Sequence, residues 1–165
     1  MGDPWIDDES IFRGRLEKGE RQTKLVAERL RRDGLEVEEP EKSFRREYKD
    51  RHNYRDEVDL VVNGCRVEVK SRPKLEWTTL DDFPYPDIIV DTVRKWDGHK
   101  TLPVATINVC PTTGAIIVVP GKTKGEWREG RRLDSGSGHE DDFYFAPRRT
   151  WTTYEKLVEF LRTRA

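Results

Sequence analysis

Two carboxylates and an amine, Asp59 and Glu68-Val69-Lys70, are spaced so that they could assemble a metal site. Eight residues lie between Asp59 and Glu68, with Asn63-Gly64 midway. An Asn-Gly pair between two β-branched runs signals a hairpin, because a type I′ turn needs positive φ at both central residues. A two-residue turn fixes the register: Val62 opposite Cys65, Val61 opposite Arg66, Leu60 opposite Val67, and Asp59 opposite Glu68. Opposed side chains share a face with Cβ atoms about 5 Å apart, and Lys70, two residues on, returns to that face. Val58, Leu60, Val62, Val67 and Val69 take the other face and point into a core, with Cys65 beside them. Like charges set opposite one another destabilise a strand pair unless a cation lies between them. Mg²⁺ suits that role, since it takes carboxylate oxygens at about 2.1 Å and keeps several waters. The plainer alternative is a hairpin with one face in water, which also carries acids and lysines at every second position.

The elements around this hairpin must hold it in place. Residues from about Ser10 to Asp33 read as a helix ended by Gly34 at C′. Leu16, Glu20, Thr23, Ala27 and Leu30 recur at helical spacing with Val26 beside them, which sets Glu20 on the apolar stripe. An acid there needs a partner; it completes the site, sits in water if the helix starts later, or pairs with a nearby Arg. Glu17 is the less favoured alternative as the helix acid. A strand is expected around Leu35 to Glu39. The run from Lys42 to Arg55 then sets six basic residues, Lys42, Arg45, Arg46, Lys49, Arg51 and Arg55, against two acids, with Phe44, Tyr48 and Tyr54 between them. Basic groups release phosphate counterions and aromatic rings stack on bases, so this run has the makeup of a nucleic-acid surface, although a solvated loop has the same composition.

Beyond Lys70 the chain passes Ser71, Arg72 and Lys74 into Leu80-Asp-Asp-Phe-Pro-Tyr-Pro-Asp87, whose turn residues exclude a long helix. Ile88 to Val93, Val104 to Val109, Ala115 to Val119 and Phe143 to Phe145 read as strands, the middle two forming a hairpin around Pro111-Thr-Thr-Gly114. Arg94-Lys-Trp96 offers a second basic and aromatic contact, or a core Trp. Residues 122 to 140 are Gly-rich and charged, a mobile loop or a frayed strand pair, and Arg128, Arg131 and Arg132 there are within reach of phosphate. Thr152-Thr-Tyr-Glu155 has the capping-box pattern ahead of an amphipathic helix through Tyr154, Leu157, Val158 and Leu161. Asp81, Asp82, Asp87, Asp91 and Asp97 are extra acids, one of them a candidate outer ligand, the rest solvated loop acids. His52, His99 and His139 form no spaced set with the cysteines, so a zinc site is not expected.

The chain as a whole sets broad limits. A length of 165 residues fits a single domain, here with an acidic tail over residues 1 to 9. With 38% charged residues and a net charge of -1, the surface carries both signs densely, so overall charge names no partner. Cys65 and Cys110 are too few for a disulfide framework, which points to a reducing, intracellular setting. No apolar run reaches membrane-spanning length, and the N-terminus is acidic where a signal peptide is basic.

A helix acid, a strand bearing Asp59, a tight turn and a strand bearing Glu68-Val69-Lys70 resemble the PD-(D/E)xK nuclease superfamily, which includes type II restriction enzymes and Holliday-junction resolvases. The resemblance spans roughly Lys18 to Arg72, under half of the chain. Val58 stands where many members have Pro, and the Pro-rich connection after Lys70 replaces a common helix, so the chain reads as a divergent member. The resemblance implies an α/β (α+β) fold, a restriction-endonuclease-like central mixed β-sheet flanked by α-helices. It implies a metal-dependent endonuclease in which Asp59, Glu68 and the Val69 backbone carbonyl hold Mg²⁺ or Mn²⁺. Glu20 completes the shell directly or through water, and Lys70 orients or deprotonates the attacking water. Lys42, Arg45, Arg46, Lys49, Arg51, Arg55, Arg72 and Lys74 would grip the backbone of a nucleic acid, DNA favoured, in the cytoplasm of a prokaryotic or phage-infected cell. A homodimer fits this picture, since nucleases that cut both strands often pair. Two other classes stay open: a nucleic-acid-binding module that keeps the scaffold without cutting, and a charged protein-interaction domain.

Overall fold

A computed structural model describes residues 19–40, 59–133 and 138–164. Residues 19–32 form helix α1. Gly34, at φ 86°, closes it as expected: its amide bonds back to Arg31 C=O and that of Leu35 to Leu30 C=O, the paired bonds of a Schellman ending. Thr23, Val26, Ala27 and Leu30 are buried along the anticipated stripe.

Strands β1 (Val37–Glu38), β2 (Leu60–Val62) and β3 (Cys65–Ser71) come next. Over β2 the register is the one that the Asn-Gly turn dictates, with Leu60 opposite Val67, Val61 opposite Arg66 and Val62 opposite Cys65, whereas Asp59 precedes the strand and the expected Asp59–Glu68 pair lies outside the ladder. Asn63 and Gly64 both have positive φ, 46° and 80°. Asn63 does more than turn the chain. Its Oδ1 accepts the Glu36 amide at 2.9 Å and its Nδ2 donates to Leu161 C=O at 3.0 Å, so one side chain ties the hairpin to the first strand and to the C-terminal helix.

Strand β4 (Asp87–Thr92) runs into the short helix α2 (Val93–Asp97). Strands β5 (Ala105–Val109) and β6 (Ile116–Pro120) form the expected hairpin. Strand β5 lies parallel to β3, which gives a mixed five-stranded sheet in the order β1-β2-β3-β5-β6. Strands β7 (Arg128–Leu133) and β8 (Glu140–Pro147) pair antiparallel and, with β4, make a three-stranded sheet ordered β4-β8-β7. Where a mobile loop or frayed pair was expected, residues 128–133 are thus a regular strand. Arg131 bonds to Glu140 and Asp142 across the ladder, and Phe145 fills the space over Gly130, with the Arg128 guanidinium 4.1 Å above its ring.

Helix α3 (Tyr154–Arg162) closes the chain. Its N-cap is Thr153, whose hydroxyl accepts the Lys156 amide, one residue later than the capping-box pattern placed it. The capping box is therefore absent, because the N3 residue is a lysine.

The period-two alternation of β3 and β5 sorts the residues into two layers. Val67, Val69, Ala105, Ile107 and Val109 pack with Leu60 and Val62 against α1 and α3. The opposite face meets the three-stranded sheet through a core rich in aromatics: Trp77, Phe83, Trp96, Tyr144 and Trp151 with Ile88, Val90, Ile117 and Val119. Trp96 is core and not a surface contact. The Pro-rich connection follows turns and bends, pinned by Arg148, which donates to the carbonyls of Leu80, Phe83 and Tyr85. The result is an α+β fold, a mixed central sheet flanked by helices in one small domain. No helix among the described residues is long and apolar enough to cross a membrane.

Candidate metal and phosphate site

Four polar side chains face the second sheet from the middle of the first. Glu68 and Lys70 on β3 stand beside Thr106 and Asn108 on β5, pair by pair in the parallel register. Strand β4 brings Asp91 over them, and α2 with the turn after it brings Lys95 and His99. Glu68, Asp91 and His99 are only 3%, 7% and 8% exposed.

The charges interlock. Lys95 Nζ lies 3.0 Å from Glu68 Oε1 and 3.6 Å from Asp91 Oδ2. Lys70 Nζ lies 3.4 Å from Asp91 Oδ2 and 3.8 Å from Glu68 Oε1. Burial opposes the charge on Glu68, yet the Lys70 and Lys95 ammoniums and the Lys95 hydrogen bond outweigh it and hold the carboxyl at about 2. Burial pushes Lys70 below the usual lysine range, with Asp91 and Glu68 only partly offsetting it. Lys95 is also penalised by burial, but Glu68 and Asp91 carry it above that range. Two acids and two ammoniums thus neutralise each other between the sheets.

Neutralisation does not satisfy every atom. Glu68 Oε2, Asp91 Oδ2, both ring nitrogens of His99 and Thr106 Oγ1 are buried with no hydrogen-bond partner among the described residues. Ligand atoms from Glu68, Asp91 and His99 all lie within 4.8 Å of one another. Buried polar atoms are normally bonded, because stripping water from one without replacement costs about 1–3 kcal/mol. Three such groups converging on one spot mark where a ligand would be received.

Asp59 sits at the mouth of the hairpin, just before β2. Its Oδ2 accepts the Val69 amide at 2.7 Å. On β3 the Arg66 carbonyl and the Arg72 amide bond toward β5. By alternation Val69 therefore turns its amide and its carbonyl together toward Asp59. Glu20 lies elsewhere. It is half-buried on α1, in the helix layer across the sheet from Glu68, and belongs to no group of metal-ligating residues among those described.

The expected phosphate contacts divide. Lys42, Arg45, Arg46, Lys49, Arg51 and Arg55 lie outside the described residues, as do Val58, Leu16 and Glu17. Lys74 is exposed. Arg72 is committed inside: its Nε donates to Asn108 Oδ1 at 3.1 Å and its guanidinium to Ile89 C=O, so it ties the two sheets together. Burial lowers its pKa to about 10. Arg128 and Arg131 are paired with Asp87, Glu140 and Asp142, and Arg132 is exposed.

Asp91 is not a solvated loop acid. It is buried on β4, and an acid within the apolar run Ile88 to Val93 was the signal. Lys95, four residues on, stays beside it. His99 gave no sequence signal, since it lies 31 positions after Glu68 and only the docking of the second sheet brings them together. Comparison with protein-family models, curated proteins and solved structures finds no match to this chain.

Proposed function

We propose that this protein is a metal-dependent phosphodiesterase acting on nucleic acid, with DNA the favoured substrate, built on the PD-(D/E)xK plan. The observation that carries the reading is on β3: the buried, unsatisfied Glu68 Oε2 with the Lys70 ammonium 3.8 Å from its other oxygen, next to Val69, whose amide Asp59 accepts. Asp59, Glu68 and the Val69 carbonyl would hold Mg²⁺ or Mn²⁺, for which an oxygen-only donor set is suited. When bound, the ion supplies Lewis-acid polarisation of the phosphate and a lowered pKa for water. Lys70, whose pKa burial lowers so that its neutral amine is more readily available than a surface lysine's, would receive or orient the proton of the attacking water. Lys95 adds a second positive charge where the phosphorane oxygens gain negative charge. Glu20, in the helix layer across the sheet, is given no direct ligand role. Lys74 and the basic run before Asp59 would hold the backbone, and a cytoplasmic setting and a homodimer fit the same chemistry.

A second reading, a nucleic-acid-binding module that does not cut, is favoured by one observation: Lys70 and Lys95 already neutralise both buried carboxylates. One panel separates the two. Labelled duplex, single-stranded, branched DNA and RNA are incubated with Mg²⁺, Mn²⁺ or chelator. Cleavage with metal, abolished by Lys70→Ala in a folded domain, supports the phosphodiesterase. Salt-sensitive retention without product in any metal supports the binding module, and undiminished cleavage by Lys70→Ala ends the mechanism.

A further inference from the structure

We propose that Glu68, Asp91 and His99 form a metal site of their own, selective for first-row transition ions that accept imidazole, such as Co²⁺, Mn²⁺ and Zn²⁺, over Mg²⁺ and Ca²⁺. The proposal shares Glu68 with the phosphodiesterase reading but does not depend on cleavage.

Three observations converge. The first is distance: one donor atom from each residue lies within 4.8 Å of the other two. Donors bound at about 2.1 Å are about 3 Å apart when adjacent around an octahedral ion and about 4.2 Å apart when opposite, so small side-chain adjustments close the site. The second is unmet bonding. Glu68 Oε2 and both His99 nitrogens are buried with no hydrogen-bond partner among the described residues, Asp91 Oδ2 has only the ammoniums of Lys70 and Lys95 at 3.4 and 3.6 Å, and His99 is more than nine-tenths buried. A buried imidazole with neither nitrogen engaged has no structural role that its polarity serves. The third is anchoring. The His99 ring packs edge-on against Trp96 with centroids 5.9 Å apart, and Trp96 is locked in turn against Trp127 at 4.9 Å. Asp91 is held by the Thr92 amide on its other oxygen, so Oδ2 faces the site, where the two ammoniums contact it. Glu68 likewise engages Lys95 through Oε1 and leaves Oε2.

The donor set chooses the ion. Mg²⁺ and Ca²⁺ prefer oxygen ligands throughout, whereas imidazole with carboxylates suits Mn²⁺, Co²⁺ and Zn²⁺. The ammoniums next to the carboxylates are competitors for the same charge. Lys95, with its side chain 32% exposed on the short helix α2, has solvent to withdraw into when an ion arrives.

The full chain, stripped with chelator and desalted, is titrated with Co²⁺ and followed by visible absorption and calorimetry. One ion per chain is expected, with a visible band that a large excess of Mg²⁺ leaves in place. His99→Phe keeps the edge-on packing against Trp96 and removes both nitrogens; Asp91→Asn keeps the shape and removes the charge. Each variant, checked for folding by circular dichroism, should bind Co²⁺ at least about 10-fold more weakly. Absence of Co²⁺ binding, unchanged affinity in folded His99→Phe, or equal displacement by Mg²⁺ would overturn the proposal. Co²⁺ bound through His99 with no cleavage of any nucleic acid leaves this site standing and removes the phosphodiesterase. Cleavage with Mg²⁺ and no His99-dependent Co²⁺ site does the reverse.

Discussion

Replacing Glu68 by Gln removes one negative charge from a buried quartet and changes almost nothing in shape. In the folded protein the Glu68 carboxyl is held at about 2, against 4.5 for an unperturbed glutamate. At about 1.4 kcal/mol per tenfold, that gap makes the ionised form worth about 3 kcal/mol to folding. The side chain is 4% exposed, so solvent screening removes little of it. Breaking a buried ion pair by removing one partner costs a similar amount, about 3–5 kcal/mol, because the other charge stays buried.

The sign with pH follows from the direction of the shift. A carboxyl whose folded pKa lies below its unfolded value gives its full stabilisation above the unfolded value and loses it as pH falls toward the folded one. Urea unfolding at pH 7 should therefore put Glu68→Gln about 3 kcal/mol below the parent. The same comparison at pH 3 should give roughly half that or less, because Glu68 of the unfolded parent is then largely protonated while that of the folded parent is still largely ionised. The m-value should not change, as the surface exposed on unfolding is the same. Combining Glu68→Gln with Lys95→Met should cost at least about 1 kcal/mol less than the sum of the two, since the ammonium no longer lacks its partner. A loss under about 1 kcal/mol at pH 7, or one that is equal at pH 7 and pH 3, would refute the charge quartet as described.

Gly64→Ala should lower stability by about 1–2 kcal/mol in the same assay, because φ of 80° is strained for any residue with a Cβ even though the space there is open. Lys95→Met should tighten Co²⁺ binding in the absorption titration, because it deletes the cation 3.0 Å from Glu68 Oε1 without touching a ligand; weaker binding would count against competition at that oxygen.

What could be read in the sequence was whatever is local. Asn63-Gly64 dictated φ, φ dictated the turn, and the turn dictated which residues face one another across β2 and β3. Gly34 and the stripe from Thr23 to Leu30 did the same for α1. The C-terminal helix was legible except for its cap, where two adjacent threonines offered two starts and the structure uses Thr153. What escaped was whatever depends on layers meeting. The parallel pairing of β3 with β5 sets Glu68 beside Thr106, and no local pattern encodes a partner 38 positions away. Strand β7 escaped because its stability comes from cross-strand ion pairs and from Phe145 covering Gly130, while its own composition reads as loop.

The same distinction bears on why charge sits between the sheets at all. An apolar replacement of Glu68, Lys70, Asp91 and Lys95 would extend a core that already holds Trp96, Ile117 and Val119 on that face, and buried ion pairs exchanged for apolar residues often gain stability. The quartet also leaves Glu68 Oε2 unsatisfied and Asp91 Oδ2 without a hydrogen bond, a cost that a purely structural quartet would not carry. Natural sequences break packing rules chiefly where chemistry requires it, and perturbed ionisable groups concentrate at such places. Lys70 shows the point in one residue. Held below its usual range by burial while Asp91 and Glu68 pull the other way, it is poorly chosen as a strut and well placed as a proton acceptor beside a carboxylate with a free oxygen.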